Sequence, residues 1–134
     1  MKTGTIDKII LIVQQGASVA AALIAGQQTH GSFEDAPFKV AIFICAALIP
    51  PVEATACELA NTMGMLGQIN IPTVHIIGRK DPCEAQSLRL VMSCTQSTAQ
   101  VLLNDGEHDV PRDAFNTKQI AAAIERALWV AFSG

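Results

Sequence analysis

Short continuous apolar runs alternate along this chain with stretches whose apolar positions recur every three or four residues. Ile9–Val13 is the first run and reads as a buried strand; Gly16–Gln27, rich in alanine, reads as a helix able to pack close to a sheet. After the polar connection "HGSFEDAP" (30–37) comes a second strand, Phe38–Ala46, with no interior charge beyond Lys39. Glu53–Met65 is helical in pattern, its end weakened by Gly64 and Gly67. "IPTVHIIG" (71–78) is a third strand, opened by a proline where a strand start tolerates one. A loop at 79–83, a helix over Glu84–Cys94 and a fourth strand at 99–105 follow, the last running into "GEHDVPRD". Thr117–Phe132 closes the chain as an amphipathic helix with Ile120, Ile124, Leu128 and Phe132 on one face. The order β-α-β-α-β-α-β-α predicts an α/β fold with a mostly parallel sheet of about four strands.

At 134 residues the chain makes one domain, 1–134, long enough to bury a core. Half of its residues are apolar and 16% are charged, which suits a sheet covered on both faces. A net charge of −3 argues against nucleic acid or an anionic membrane as partner, since both need a basic face. No apolar run reaches the roughly 18–20 residues that span a bilayer, and no signal-peptide pattern opens the chain. The four cysteines, at 45, 57, 83 and 94, contain no C-x-x-C pair, so free thiols in a reducing cytoplasm are expected. His30, His75 and His108 show no ligand spacing with them, so no metal and no cofactor are expected.

In open α/β sheets chemistry gathers at the carboxyl ends of the strands. Four segments reach that edge: 13–16, 45–50, 78–82 and 105–111. The third offers Asp81 and the fourth His108, an acid followed by a histidine, each just past a strand, as in the chain order of the α/β-hydrolase triad. The third triad position falls upstream, at the strand-to-helix turn, which here reads Val13-Gln14-Gln15-Gly16.

"QQGASVAAAL", "FKVAIFICAALIPP", "IPTVHIIGRKD" and "DGEHDVP" resemble, in order and spacing, four consecutive blocks of the fungal family of serine hydrolases often abbreviated FSH. That family includes thioesterases that release polyketides from fungal synthases. The resemblance covers nearly the whole chain and implies a shortened, three-layer α/β-hydrolase fold. It puts Asp81 on the family's triad acid and His108 on its triad histidine. It also puts Gln14 on the nucleophile and Ile12 on the first glycine of G-x-S-x-G, leaving only Gly16 of that motif. The family's first half, with the loop that gives one oxyanion N–H, has no counterpart here.

Gln14 cannot attack a carbonyl, because an amide has no activated hydroxyl. It can hold a carbonyl by hydrogen bonds, as can the Gln15 N–H at a helix start. Cys45 ends the second strand near the same edge and reads either as a core thiol or as a substrate contact. His108 stands in a polar loop, where one ring nitrogen fixed by Asp81 leaves the other free to move protons. Ser18 sits one turn into its helix and is a poor nucleophile; His30 reads as solvated.

The expectation is a non-hydrolytic acid/base enzyme of isomerase, dehydratase or cyclase type, with His108 and Asp81 catalytic and Gln14, Gln15 and Cys45 binding a small molecule. By the resemblance, that substrate is polyketide-like. A pseudo-hydrolase binding a metabolite or partner protein is the alternative, and a residual thioesterase using Cys45 or Ser18 is the third reading. An apolar strand Ile9–Val13 at a sheet edge predicts a homodimer, because open edges are covered.

Overall fold

A computed structural model describes the backbone of residues 9–13, Ile24, residues 38–46 and residues 69–133. Four strands form one parallel sheet in the order β1-β2-β3-β4: β1 (Ile9–Val13), β2 (Val40–Ile44), β3 (Thr73–Gly78) and β4 (Ala99–Asn104). Two helices are described, α1 (Glu84–Met92) and α2 (Ala114–Ser133), with a single 3-10 turn at Gln96–Thr98 before β4. The helices expected over Gly16–Gln27 and Glu53–Met65 lie outside the described residues, apart from Ile24, which is helical.

Each strand lies beside the one before it, so the sheet grows in a single direction. A right-handed crossover from β3 to β4 then puts α1 on one face. The side chains obey this. β2 alternates with period two: Ala41 and Phe43 join Ile24, Ile69, Ile71 and Leu90 in one apolar cluster, on the face that α1 covers. Val40, Ile42 and Ile44 join Val74 and Ile76 on the other face. That second face is left to α2, which follows the last strand and is free to fold back under the sheet. Its Ala123 and Ala127 are buried there, with Ile120, Ile124, Leu128 and Ala131 packed around them. The result is the expected three-layer α/β architecture. Among the described residues no helix is long and apolar enough to cross a membrane.

Several boundaries differ from the sequence reading. The second strand ends at Ile44 rather than 46, because Cys45 turns to a φ of +51°. The last helix starts three residues early, at Ala114. Asp113 caps it, accepting the Asn116 N–H at 2.9 Å on its side chain and the Thr117 N–H at 3.0 Å on its carbonyl. Phe132 is half exposed and does not share the buried face. Ala123 and Ala127 are the fully buried positions of the stripe 120-123-124-127-128-131, and position 132 falls about 160° around the helix from them.

Candidate active site

Three strands deliver one side chain each to the carboxyl edge of the sheet. β2 delivers Cys45, β3 delivers Asp81, and β4 delivers His108 through a longer loop.

Asp81 is placed by local chemistry. Its N–H donates to the Gly78 carbonyl at 3.2 Å, and its own carbonyl accepts the Glu84 N–H at 3.0 Å as α1 begins. Its Oδ1 accepts the Cys83 N–H at 2.7 Å, closing a turn whose middle residue is Pro82. A proline there has its φ already set, so little further entropy is lost in holding the carboxylate. The Asp81 side chain is fully buried.

The loop bearing His108 is tied to β3 rather than left to solvent. Arg79 N–H donates to the Asn104 carbonyl at 2.8 Å and Lys80 N–H to the Gly106 carbonyl at 3.0 Å, extending the β3–β4 pairing past the last strand residues. The buried Asn104 side chain donates to the Ile77 carbonyl at 3.2 Å and accepts the Gly106 N–H at 2.8 Å. Gly78 allows this approach. A Cβ there would lie 2.4 Å from the Glu107 carbonyl oxygen and 2.5 Å from that of Gly106.

The two loops meet at a hydrogen bond of 2.8 Å between His108 Nδ1 and Asp81 Oδ2. A carboxylate only accepts, so Nδ1 carries the proton and neutral His108 presents Nε2 as a base. The His108 side chain is 29% exposed, while its partner is sealed. The pair has the arrangement that moves protons: a reachable imidazole oriented from behind by a buried acid.

Cys45 stands beside them. Its φ of +51° is in the left-handed region that side-chain-bearing residues rarely occupy. The kink is held on both sides, by the Cys45 N–H to the Ile76 carbonyl at 2.9 Å and by buried Ser87, whose hydroxyl donates to the Ala46 carbonyl. The Cys45 Sγ donates to the Asp109 carbonyl at 3.3 Å. One ligand atom from each of Cys45, Asp81 and His108 lies within 4.8 Å of the other two. Burial, and next the Asp81 carboxylate, push the Cys45 thiol up to about 11, so it stays protonated at neutral pH.

Asp81 and His108 are therefore together as the chain order implied, with Cys45 against them rather than simply in the core. The absence of ligand spacing along the chain does not hold in space, because the three residues come from three separate loops. Gln14, Gln15, Ser18 and His30 lie outside the described residues. His75 is a core residue. Its ring stacks on Phe43 with centroids 5.3 Å apart, its Nε2 meets Thr73 Oγ1 at 2.9 Å, and burial lowers it to about 4. The positioning residues Gly78, Asn104 and Ser87 were not singled out from sequence. Asn104 carried a usable signal, as an amide at a strand end before Asp-Gly. Ser87, inside a helix, carried none.

Residues 10–120 match the profile of a family described as serine hydrolase (FSH1). The chain is 35% identical over 133 residues to Esterase FPY3 of Fusarium mangiferae, covering 93% of this chain and 58% of that protein. It is 34% identical over 116 residues to Esterase FUS5 of Gibberella fujikuroi, covering 86% and 44%. It is 29% identical over 121 residues to Thioesterase FSL2 of Gibberella zeae, covering 86% and 48%. The chain thus spans about half the length of these curated relatives. Among solved structures, a putative hydrolase from Agrobacterium vitis superposes with a TM-score of 0.57 at 18% identity, over 90% of this chain and 61% of that one, a likeness of fold.

Proposed function

The chain belongs to the serine hydrolase (FSH1) family, and we propose that within it this protein transfers protons without forming a covalent acyl intermediate. The observation that carries the reading is the 2.8 Å hydrogen bond from His108 Nδ1 to the buried Asp81 carboxylate. The block aligned with the family's nucleophile supports it, since that block offers Gln14 where a hydroxyl would be required.

In this mechanism His108 Nε2 takes a proton from a carbon or hydroxyl activated by a neighbouring carbonyl. The imidazolium that forms is stabilised by Asp81, and the proton returns at a second position of the substrate. Gln14 and Gln15 hold the carbonyl or enol oxygen as charge develops on it. Isomerisation, dehydration and cyclisation all fit this sequence of steps. The relatives named esterase and thioesterase, together with the family resemblance, support a polyketide-like acyl substrate. Free Cys45, Cys83 and Cys94 suit a reducing cytoplasm.

The test uses an acyl thioester of a short polyketide chain in deuterated buffer, with exchange at the carbon next to the carbonyl followed by NMR. Wild type is expected to accelerate exchange above the buffer rate. His108→Ala should abolish the acceleration, and Asp81→Asn should reduce it strongly through loss of the favoured tautomer. Undiminished exchange in folded His108→Ala removes the proposal.

A second reading, residual hydrolysis through Cys45, is favoured by its thiol standing with Asp81 and His108. It requires a thiolate from a group pushed up to about 11. Thioester cleavage that disappears in Cys45→Ser would select it.

A further inference from the structure

We propose that Cys45, Asp81 and His108 form a binding site for a thiophilic divalent cation of the zinc class, and that its occupancy and proton transfer by His108 exclude one another.

Thiolate sulfur, imidazole nitrogen and carboxylate oxygen are together the donor set that zinc selects over magnesium or calcium, which prefer all-oxygen sites. The three donor atoms already lie within 4.8 Å of one another. Bond lengths of about 2.3 Å to sulfur and about 2.0–2.2 Å to nitrogen and oxygen put ligand atoms about 3.3–3.6 Å apart in a tetrahedral site. The His108–Asp81 contact of 2.8 Å must therefore open by about half an ångström, and a separation at the 4.8 Å limit must close by about 1.2–1.5 Å. Side-chain rotation supplies both movements, because His108 sits on a loop and the thiol's present bond to the Asp109 carbonyl is weak.

Charge favours the ion as well. Cys45 is buried beside the sealed Asp81 carboxylate, so a thiolate formed there would be a second buried negative charge. A divalent cation cancels both negative charges at once, leaving a neutral buried centre with neutral imidazole as third ligand. The step balances: the cation enters, the Sγ–H proton leaves to solvent, and one metal–sulfur, one metal–nitrogen and one metal–oxygen bond form. If the metal takes Nδ1, the imidazole proton moves to Nε2 with no net release. Nε2 is then no longer a base, and if the metal takes Nε2 instead, it is equally blocked. The ion enters past His108, the exposed member of the three, and its remaining coordination position stays open to water or substrate oxygen.

The experiment reads metal binding directly, so its outcome is separate from that of the proton-transfer reading. Metal-free, reduced protein is titrated with cobalt(II) at about pH 8, where an ordinary histidine is neutral. The expected result is a 1:1 thiolate-to-cobalt charge-transfer band, displaced by zinc, with one proton released per ion. Cys45→Ser should abolish the band, and Cys83→Ser should leave it unchanged. His108→Gln changes only a loop side chain and covers the case in which Cys45→Ser fails to fold. It should weaken affinity by about a hundredfold or more, at least the effect of losing an outer-shell partner. No band in wild type, a band retained by folded Cys45→Ser, or unchanged affinity in His108→Gln overturns the proposal.

Discussion

Replacing Gly78 by alanine tests whether the end of β3 sets the geometry of the His108–Asp81 pair. The added Cβ would meet the Glu107 carbonyl oxygen at 2.4 Å, the Gly106 oxygen at 2.5 Å and the Gly106 carbonyl carbon at 3.0 Å. All three are backbone atoms, so no side-chain rotation relieves the overlap. Restoring ordinary contact moves this stretch of the loop by about 0.7–1 Å, at a cost typical of overpacking, about 1–3 kcal/mol. Glu107 immediately precedes His108, and Lys80 N–H bonds the Gly106 carbonyl at 3.0 Å, so the displacement is passed to both partners. A shift of that size stretches the 2.8 Å Nδ1–Oδ2 contact to about 3.5 Å, where it no longer counts as a hydrogen bond. Misplacement by about 1 Å also costs about a hundredfold in rate. The direct assay is NMR of protein labelled at histidine nitrogen. Wild type should show a protected, far-downfield His108 Nδ1–H signal, which Gly78→Ala loses while the remaining amide spectrum stays native. An unchanged signal together with unchanged thermal stability would refute the reasoning.

Further outcomes are expected. Because burial lowers His75 from 6.5 to about 4, the unfolded chain binds a proton between those values that the folded chain refuses. Stability is therefore full above about pH 6.5 and falls by up to about 3 kcal/mol as pH drops toward 4; urea titrations of wild type and His75→Leu should show that slope in the first and its loss in the second. Hydrolysis of p-nitrophenyl esters should be negligible, since removing a triad serine costs on the order of 10⁶ in kcat, and Gln14→Ser should not restore it with Ile12 still in place of the motif's first glycine. Substantial turnover, or fluorophosphonate labelling at Ser18, contradicts both statements. Among the described residues β1 pairs on one side only, so a second copy is proposed to pair along it. Light scattering should give twice the 14.2 kDa of one chain, and a monomer at low micromolar concentration disproves the pairing.

The strands were legible as short continuous apolar runs because the sheet is buried on both faces, as along β2, and the last helix because burial on one side enforces a period near 3.6 along α2. What the sequence blurred were the places where a local device interrupts that period. Cys45 is apolar and continues the pattern of β2, yet it leaves the strand at positive φ, and the kink is fixed by Ser87, forty-two residues away. Asp113 caps the last helix, but the apolar periodicity of that helix starts later and drew the boundary to Thr117. Asp81 and His108 could be found since each follows a strand at the functional edge of a parallel sheet. Cys45 could be placed at the same edge because it ends the second strand, but not in contact with them, because that contact depends on register between loops of three strands, and composition and spacing do not encode register.

The construction of this site bears on why a hydrolase pair can be kept where the nucleophile's place holds an amide. Among the described residues, the contacts that align His108 with Asp81 come from the ends of β3 and β4: the Pro82 turn, Gly78, Asn104 and the two backbone bonds that prolong the ladder. None of these contacts calls on the turn after β1, which in the family presents the serine. Among the described residues the acid–base pair is thus held from β3 and β4 alone, and the expectation is that changing Gln14 alters neither its distance nor its burial. Presence of the pair therefore argues for proton transfer on its own terms, whereas hydrolysis needs a nucleophile aligned with the pair and an oxyanion site besides. On this reasoning Gln14→Ala should leave the His108 Nδ1–H signal in place while weakening thioester exchange. Loss of the signal in that variant would mean that the two halves of the site are mechanically coupled after all.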